Sequence, residues 1–253
     1  MSQSFRQQEI QEIARRDGKV IVEDLAAHFG VTVQTIRRDL TDMAEEGTLD
    51  RVHGGALYPS GVSNIEYEER RDLNQDAKSR MARACARAIP DGVSVFINIG
   101  TSTEAVANEL LSHSNLLVVT NNLNVANRLT ANPDSEVVVT GGSLRRTDGG
   151  LVGALATRTI EQFKFDYAVI GCSAVDEDGD LLDFDMQEVS VSQAIIKQSR
   201  KVLLVADHSK ILRSAPARIG SLREIDACYT DRPFPGVLKR KCDEWGTQVV
   251  VAG

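Results

Sequence analysis

Apolar residues in the first part of the chain recur at the spacing of helices that bury one stripe and expose the rest. In VTVQTIRRDL, residues 31–40, a turn of about 100° per residue puts Ile36 and Leu40, with Met43 beyond, on one face and Gln34, Arg38 and Thr41 on the other. Ahead of it, IQEI at residues 10–13 belongs to a first helix that ends near Gly18, and residues 22–29 form a second with Leu25, Ala26 and Phe29 at core spacing. Gly30 is placed to stop that second helix, and Thr32 to cap the third by accepting a hydrogen bond from the backbone N–H of Gln34 or Thr35. TLDRVHGGALYP then offers two short extended runs about Gly54 and Gly55, which is a hairpin signal. Helix, helix, tight turn, helix, hairpin is the order of a winged helix-turn-helix, assigned to residues 1–58. PSGVSN follows, and residues 59–74 are read as a linker.

Further on the pattern changes. VSVFINI, LLVVT, EVVVTGG, YAVIGC, KVLLVAD, DACYTD and QVVVAG are strand-like runs with helical segments between most of them. This alternation predicts a mostly parallel sheet covered by helices, an α/β domain over residues 75–253. Residues 65–89 read as a single helix joining the two parts. Ligands of such sheets collect at the carboxyl ends of the strands, and those ends are polar here. Gly100, Thr101, Ser102 and Thr103 run from a strand straight into a helix start, where free N–H groups and hydroxyls suit an anion, although a capped helix without a ligand reads the same way. Asn121 follows LLVVT, Gly141 and Gly142 follow EVVVT, and Lys210 in ADHSK brings a cation suited to phosphate. Arg145 precedes Asp148, Gly149 and Gly150 in a loop that either closes over a ligand or is simply solvated. Asp185 and Glu188, three apart at a helix start, suit either the helix dipole or the hydroxyls of a polyol.

Composition narrows the classes. A chain of 253 residues, 42% hydrophobic and 26% charged, can bury the core of one large domain or two ordinary ones. The formal charge of −7 excludes a broadly basic nucleic-acid coat but not a local basic contact. The amino terminus lacks the apolar run of a secretory signal and no long apolar run follows, so neither export nor a membrane span is expected and the cytoplasm is the expected compartment. Cys85, Cys172, Cys228 and Cys242 lie far apart with no CxxC pair, so neither a metal nor a redox centre is expected. In a helix-turn-helix the second helix of the motif enters the major groove with its first residues toward base edges. Gln34, Thr35 and Arg38 fall there, and Gln and Arg pair bidentately with adenine and guanine. Arg37, Arg51 and His53 are placed to meet phosphate, which fixes position without reading sequence. Against this, acids outnumber bases in the first 58 residues, which leaves open a helical module that binds no nucleic acid.

The run GVTVQTIRRDLTDMAEEGTLDRVHGGA resembles the amino-terminal domain of the DeoR family of bacterial transcriptional regulators. IGTST, TNN, TGG, the glycine-rich turn at 149–153 and ADHSK stand where that family carries its effector-site motifs, so the resemblance covers almost the whole chain. It implies a repressor rather than an enzyme, without a cofactor, that binds double-stranded operator DNA as a homodimer or homotetramer and is released by a phosphorylated sugar or polyol. Within the family, NNLNVANRL, DGGLVG, LLDFDMQEVSVSQAII and VADHSK point to sn-glycerol 3-phosphate and to control of glycerol metabolism. The phosphate is then expected on residues 100–103 near Lys210, and the hydroxyls at Asn121, Asp185 or Glu188. Asn98 replaces the acid common before the Gly-Thr motif and Ser102 a usual threonine, which bears on sugar preference. The second domain is similar in turn to ribose-5-phosphate isomerase, and a sugar-phosphate isomerase is the rival reading. Moving a proton between carbons needs carboxylates, yet the positions matching the isomerase acids are Ser173 and Ala174, with Asp176 and Glu177 nearby.

Overall fold

The structure is a computed structural model that describes residues 3–17, 19–52, 54–58 and 67–253. The chain forms two compact units, Met1–Leu73 and Asn74–Gly253. In the first, helices α1 (Gln3–Asp17), α2 (Val22–Phe29) and α3 (Val33–Glu45) accompany three short strands, β1 (Lys19–Ile21), β2 (Asp50–Val52) and β3 (Gly55–Leu57). The apolar stripe of α3 is buried as its spacing requires: Ile36 and Leu40 are 0% exposed and meet Ile10, Ala14 and Leu25 from the other helices. Gly30 ends α2 with φ 62°, a left-handed conformation that a side chain resists. The hairpin forms as expected, but it gains a third, antiparallel strand, in the order β1-β3-β2. Three residues are too few to show alternation, which is why β1 escapes a reading by periodicity. Its approach explains Gly55, where a Cβ would lie 1.9 Å from the carbonyl oxygen of Val20. A buried bidentate pair joins α1 to α3, with Arg6 Nε 2.5 Å and Nη2 3.0 Å from the carboxylate oxygens of Asp39.

The continuous helix expected over residues 65–89 is absent. Two helices stand in its place, α4 (Tyr67–Asp72) and α5 (Gln75–Ala86), so the supposed linker also carries a helix of its own. Asn74 separates them with φ 53°, a conformation that cannot propagate a right-handed helix.

The second unit carries strands β4 (Ser94–Ile97), β5 (Leu116–Thr120), β6 (Ser135–Val139), β7 (Ser143–Arg145), β8 (Gly150–Val152), β9 (Phe165–Ile170), β10 (Ala174–Val175), β11 (Asp180–Asp183), β12 (Ser199–Val205), β13 (Ala217–Ser221), β14 (Ala227–Thr230) and β15 (Gln248–Val251). The seven runs read from the sequence make one parallel sheet, ordered β15-β14-β12-β9-β4-β5-β6. Helices α5, α6 (Thr101–Glu109) and α7 (Leu123–Leu129) cover one face through Met81, Val106 and Leu129, packed on Val95, Ile97 and Val118. Helices α8 (Ala154–Ile160), α9 (Met186–Lys197) and α10 (Gly236–Trp245) cover the other through Ile160, Ile195 and Leu238, packed on Phe96, Phe165 and Leu204. Burial on both faces explains why the inner strands of this sheet carry continuous apolar runs rather than alternating ones. The pair β7-β8 and the three strands β10-β11-β13 form small antiparallel sheets besides the main one. No described helix is long and apolar enough to cross a membrane.

Candidate functional site

In the first unit the amino end of α3 is built to be presented. Thr32 caps it, its hydroxyl accepting from the Thr35 N–H at 3.2 Å and lying 2.9 Å from the Thr35 hydroxyl. Gln34, Arg37 and Arg38 are exposed and Thr35 is half-buried, so the polar face of the helix is open to a partner. Arg51 is held on β2 by donating to the Gly55 carbonyl at 2.6 Å. Burial, and after it the charge of Arg37, keeps its guanidinium below the ordinary arginine value. Arg37 and Arg51 therefore repel each other, and an anion between them would relieve that repulsion. His53 lies outside the described residues.

In the second unit β4 comes first in the chain; β5 and β6 follow on one side and β9, β12 and β14 on the other, so the winding reverses between β4 and β9. Ligands of open α/β sheets bind outside the strand ends at such a reversal. Gly100 takes φ 144° there and lets the chain turn into α6, whose Glu104 N–H returns to the Gly100 carbonyl at 2.9 Å. Thr101 and Ser102 are half-buried at the helix start, whereas Thr103 is fully buried and its hydroxyl points to the carbonyls of Asn98 and Gly100, both at 2.7 Å. That hydroxyl closes the turn from inside. Asn98 is buried and donates to the Ser192 hydroxyl at 2.9 Å, tying the strand end to α9.

Asn121 is 0% exposed at the end of β5, with Nδ2 donating to the Leu151 carbonyl at 3.2 Å and Oδ1 lacking a hydrogen-bond partner. A buried amide oxygen left unsatisfied is costly, and a hydroxyl-bearing ligand would remove that cost. Gly141 and Gly142 have a packing reason. A Cβ on Gly142 would come within 2.7 Å of the Val152 carbonyl oxygen, and one on Gly141 within 2.7 Å of the Leu155 side chain.

The sequence leaves Arg145 between solvent and ligand, and Asp185 and Glu188 between capping and hydroxyl recognition. The structure brings them together. Arg145 donates to both oxygens of Asp148 at 2.9 and 2.6 Å, to Asp185 at 2.6 Å and to Glu188 at 2.7 Å. Burial alone would lower the pKa of Arg145, but the Asp148 hydrogen bonds and the Glu188 charge outweigh it and hold the cation above its ordinary value. Asp185 also caps α9, accepting from the Gln187 N–H at 2.9 Å. Three carboxylates around one guanidinium keep net negative charge, which favours hydroxyl donors and opposes a phosphate at that spot.

Lys210 closes a single helical turn after β12, and with Asp183 and Asp207 it is a charged neighbour of Cys172, whose thiol burial pushes up to about 12. Asp207 is 2% exposed and accepts from the Ser209 N–H at 2.9 Å and from the Asn74 side chain at 3.0 Å. Burial would raise its pKa, yet Lys210, Ser209 and Lys78 hold it below the usual carboxylate range. Asn74, Lys78 and Asp207 were not singled out from sequence. The first two stand in a segment that reads as a connector, and Asp207 reads as part of ADHSK with no hint of burial.

Ser173 donates to Asp183 at 2.8 Å, and the other Asp183 oxygen accepts from the backbone of Phe184 and Asp185, so this buried carboxylate is saturated with donors. Asp176 accepts from the N–H groups of Asp178 and Asp180 in a turn, and Glu177 is exposed. An open hollow of about 510 Å³ lies at the opposite, amino ends of β4, β5 and β6, lined by Asp134 and Glu136, a poor setting for an anion. Among the described residues no cluster of His, Cys, Asp or Glu is arranged to hold a metal ion.

A winged helix with an open recognition face, joined to an α/β unit with polar strand ends, defines a class: DNA-binding regulators switched by a small molecule. The chain belongs to the DeoR family, its residues 6–62 matching the DeoR-like helix-turn-helix domain and residues 73–232 the DeoR C terminal sensor domain. It is 47% identical over 93% of each chain to the glycerol-3-phosphate regulon repressor of Escherichia coli K12. It is 46% identical to the repressor of that name from Haemophilus influenzae, over 94% of this chain and 93% of the relative. These relatives are transcriptional repressors, as the family reading expects, and not enzymes. Among solved structures, the ribose 5-phosphate isomerase A of Methanocaldococcus jannaschii aligns over 55% of each chain at 13% identity, with a TM-score of 0.41.

Proposed function

We propose that this repressor binds its operator through α3 and the wing and is released by sn-glycerol 3-phosphate, so that genes for glycerol or glycerol-phosphate use are transcribed when that metabolite accumulates. The observation that carries the reading is the pairing, in one chain, of the exposed Gln34, Arg37 and Arg38 with a strand-end site holding an unsatisfied buried amide and a cation. The 47% identity to a glycerol-3-phosphate regulon repressor supports the choice of effector. In this reading Gln34, Thr35 and Arg38 meet base edges, while Arg37, Arg51 and His53 meet phosphates. The effector's phosphate sits at the start of α6 over Gly100, Thr101 and Ser102 with Lys210 beside it, and its hydroxyls face Asn121 and the acids around Arg145. Gly141 and Gly142 shape the wall. A homodimer or homotetramer presents recognition helices one duplex turn apart, matching repeated half-sites.

Titration of labelled operator DNA with the full-length protein, at several salt concentrations and with or without sn-glycerol 3-phosphate, tests this. Operator affinity should fall when the effector is added. Equal affinity in both conditions removes this ligand, and a thermal-shift series of phosphorylated sugars and polyols then identifies the one that binds the folded state.

A further inference from the structure

The junction between the two units is chemically tied to the strand-end site. The boundary falls between Leu73 and Asn74, and Asn74 is also where the helical path breaks, with φ 53°. Its side chain is not turned to solvent but donates to Asp207 at 3.0 Å, the buried acid just past β12. One helical turn later Lys78, 6% exposed, stands on the same side of α5, with its N–H on the Asn74 carbonyl at 2.9 Å. A lysine this buried on a helix otherwise packed through Met81, Ala82 and Cys85 needs a nearby anion, and Asp207, on which its charge acts, supplies one. Asp207 therefore has cations on two elements, Lys78 on α5 and Lys210 after β12, and an amide from the junction.

We propose that the first turn of α5 is a wall of the effector site, in which Lys78 shares the effector's anionic charge with Lys210, and Asn74, through Asp207, transmits occupancy to the junction with the DNA-binding unit. This rests on the effector reading above. A phosphate arriving beside Lys210 competes with Asp207 for both ammonium groups. Asp207 then rebalances its remaining donors, and the Asn74 amide is the donor whose movement shifts the start of α5 and the chain entering it. No new contact between distant parts is required, because the bond sits at the residue where one unit hands over to the other.

The test uses the full-length protein and sn-glycerol 3-phosphate, with binding followed by calorimetry and operator release by titration. Asn74→Gly keeps the left-handed backbone available and deletes only the amide. It should bind the effector within about threefold of wild type, yet the ratio of operator Kd with and without effector should drop from the order of tenfold typical of such couplings to below about twofold. Lys78→Met should weaken effector binding by about tenfold, the loss of one charge-assisted hydrogen bond. Release of Asn74→Gly from the operator as complete as that of wild type overturns the role of Asn74, and undiminished effector binding by folded Lys78→Met overturns that of Lys78. A wild-type protein indifferent to sn-glycerol 3-phosphate in both assays overturns the proposed function and this inference with it.

Discussion

At the scale of single residues, the two units use charge differently. Arg38 is exposed at the start of a recognition helix, where a bidentate guanine contact discriminates by about 1–3 kcal/mol. Arg38→Ala is expected to flatten the preference between operator and scrambled DNA by that amount, with little effect on folding, as measured by competition binding. Arg145 is the opposite case. Its guanidinium holds three acids, one of them Asp148 at 2% side-chain exposure, and Arg145→Ala would take from that buried carboxylate its bidentate cation. A stability loss on the order of 3 kcal/mol is expected, read from the denaturation midpoint of the α/β unit. Asp207 adds a pH dependence of definite sign. Its folded pKa is depressed, so it contributes stability above its unfolded value near 3.9 that is lost as pH falls through the folded value. Acid titration of the wild type should lose stability below about pH 4 more steeply than that of Asp207→Asn. If the two curves run parallel, the cations around Asp207 contribute nothing to it.

At the scale of elements, α3 shows how much a helix of 13 residues owes to its neighbours. Its cap is local: Thr32→Ala removes the acceptor for the Thr35 N–H and should cost about 1 kcal/mol, which chemical denaturation of the first unit can resolve. Its orientation is tertiary, set by the buried Leu40 and by the Arg6–Asp39 pair. Leu40→Ala should cost about 2–5 kcal/mol, a large part of what so small a core supplies. The capping threonine, the apolar stripe and the stopping glycine were all legible because each acts within one or two turns. Strand β1 and the break at Asn74 were not, since a three-residue strand exists only through pairing with β3 and the Asn74 side chain is satisfied by a residue 133 positions away.

At the scale of the whole molecule, the proposed switch obeys linkage. Whatever factor the effector takes from operator affinity, operator DNA must take from effector affinity. Calorimetry of sn-glycerol 3-phosphate with the free and the operator-saturated protein should give Kd values differing by the factor seen in operator titrations, and unequal factors would rule out a two-state coupling. Lys210→Ala should bind the operator as wild type does and fail to respond to effector. The reverse pattern would move the sensing role away from the strand ends.

The order of elements, the seven apolar runs of the parallel sheet and the open face of α3 are all written in the linear chain. Periodicity, capping and turn chemistry act over a few residues, so a single sequence records them. Tertiary structure alone decided which strand-end groups meet. Arg145 finds Asp185 and Glu188 across 40 and 43 residues, Thr103 turns inward, and Asn121 is left with an unsatisfied oxygen. These outcomes depend on the reversal of winding between β4 and β9 and on the helices packed over it, an arrangement fixed by burial summed over the whole sheet and by no local run of residues.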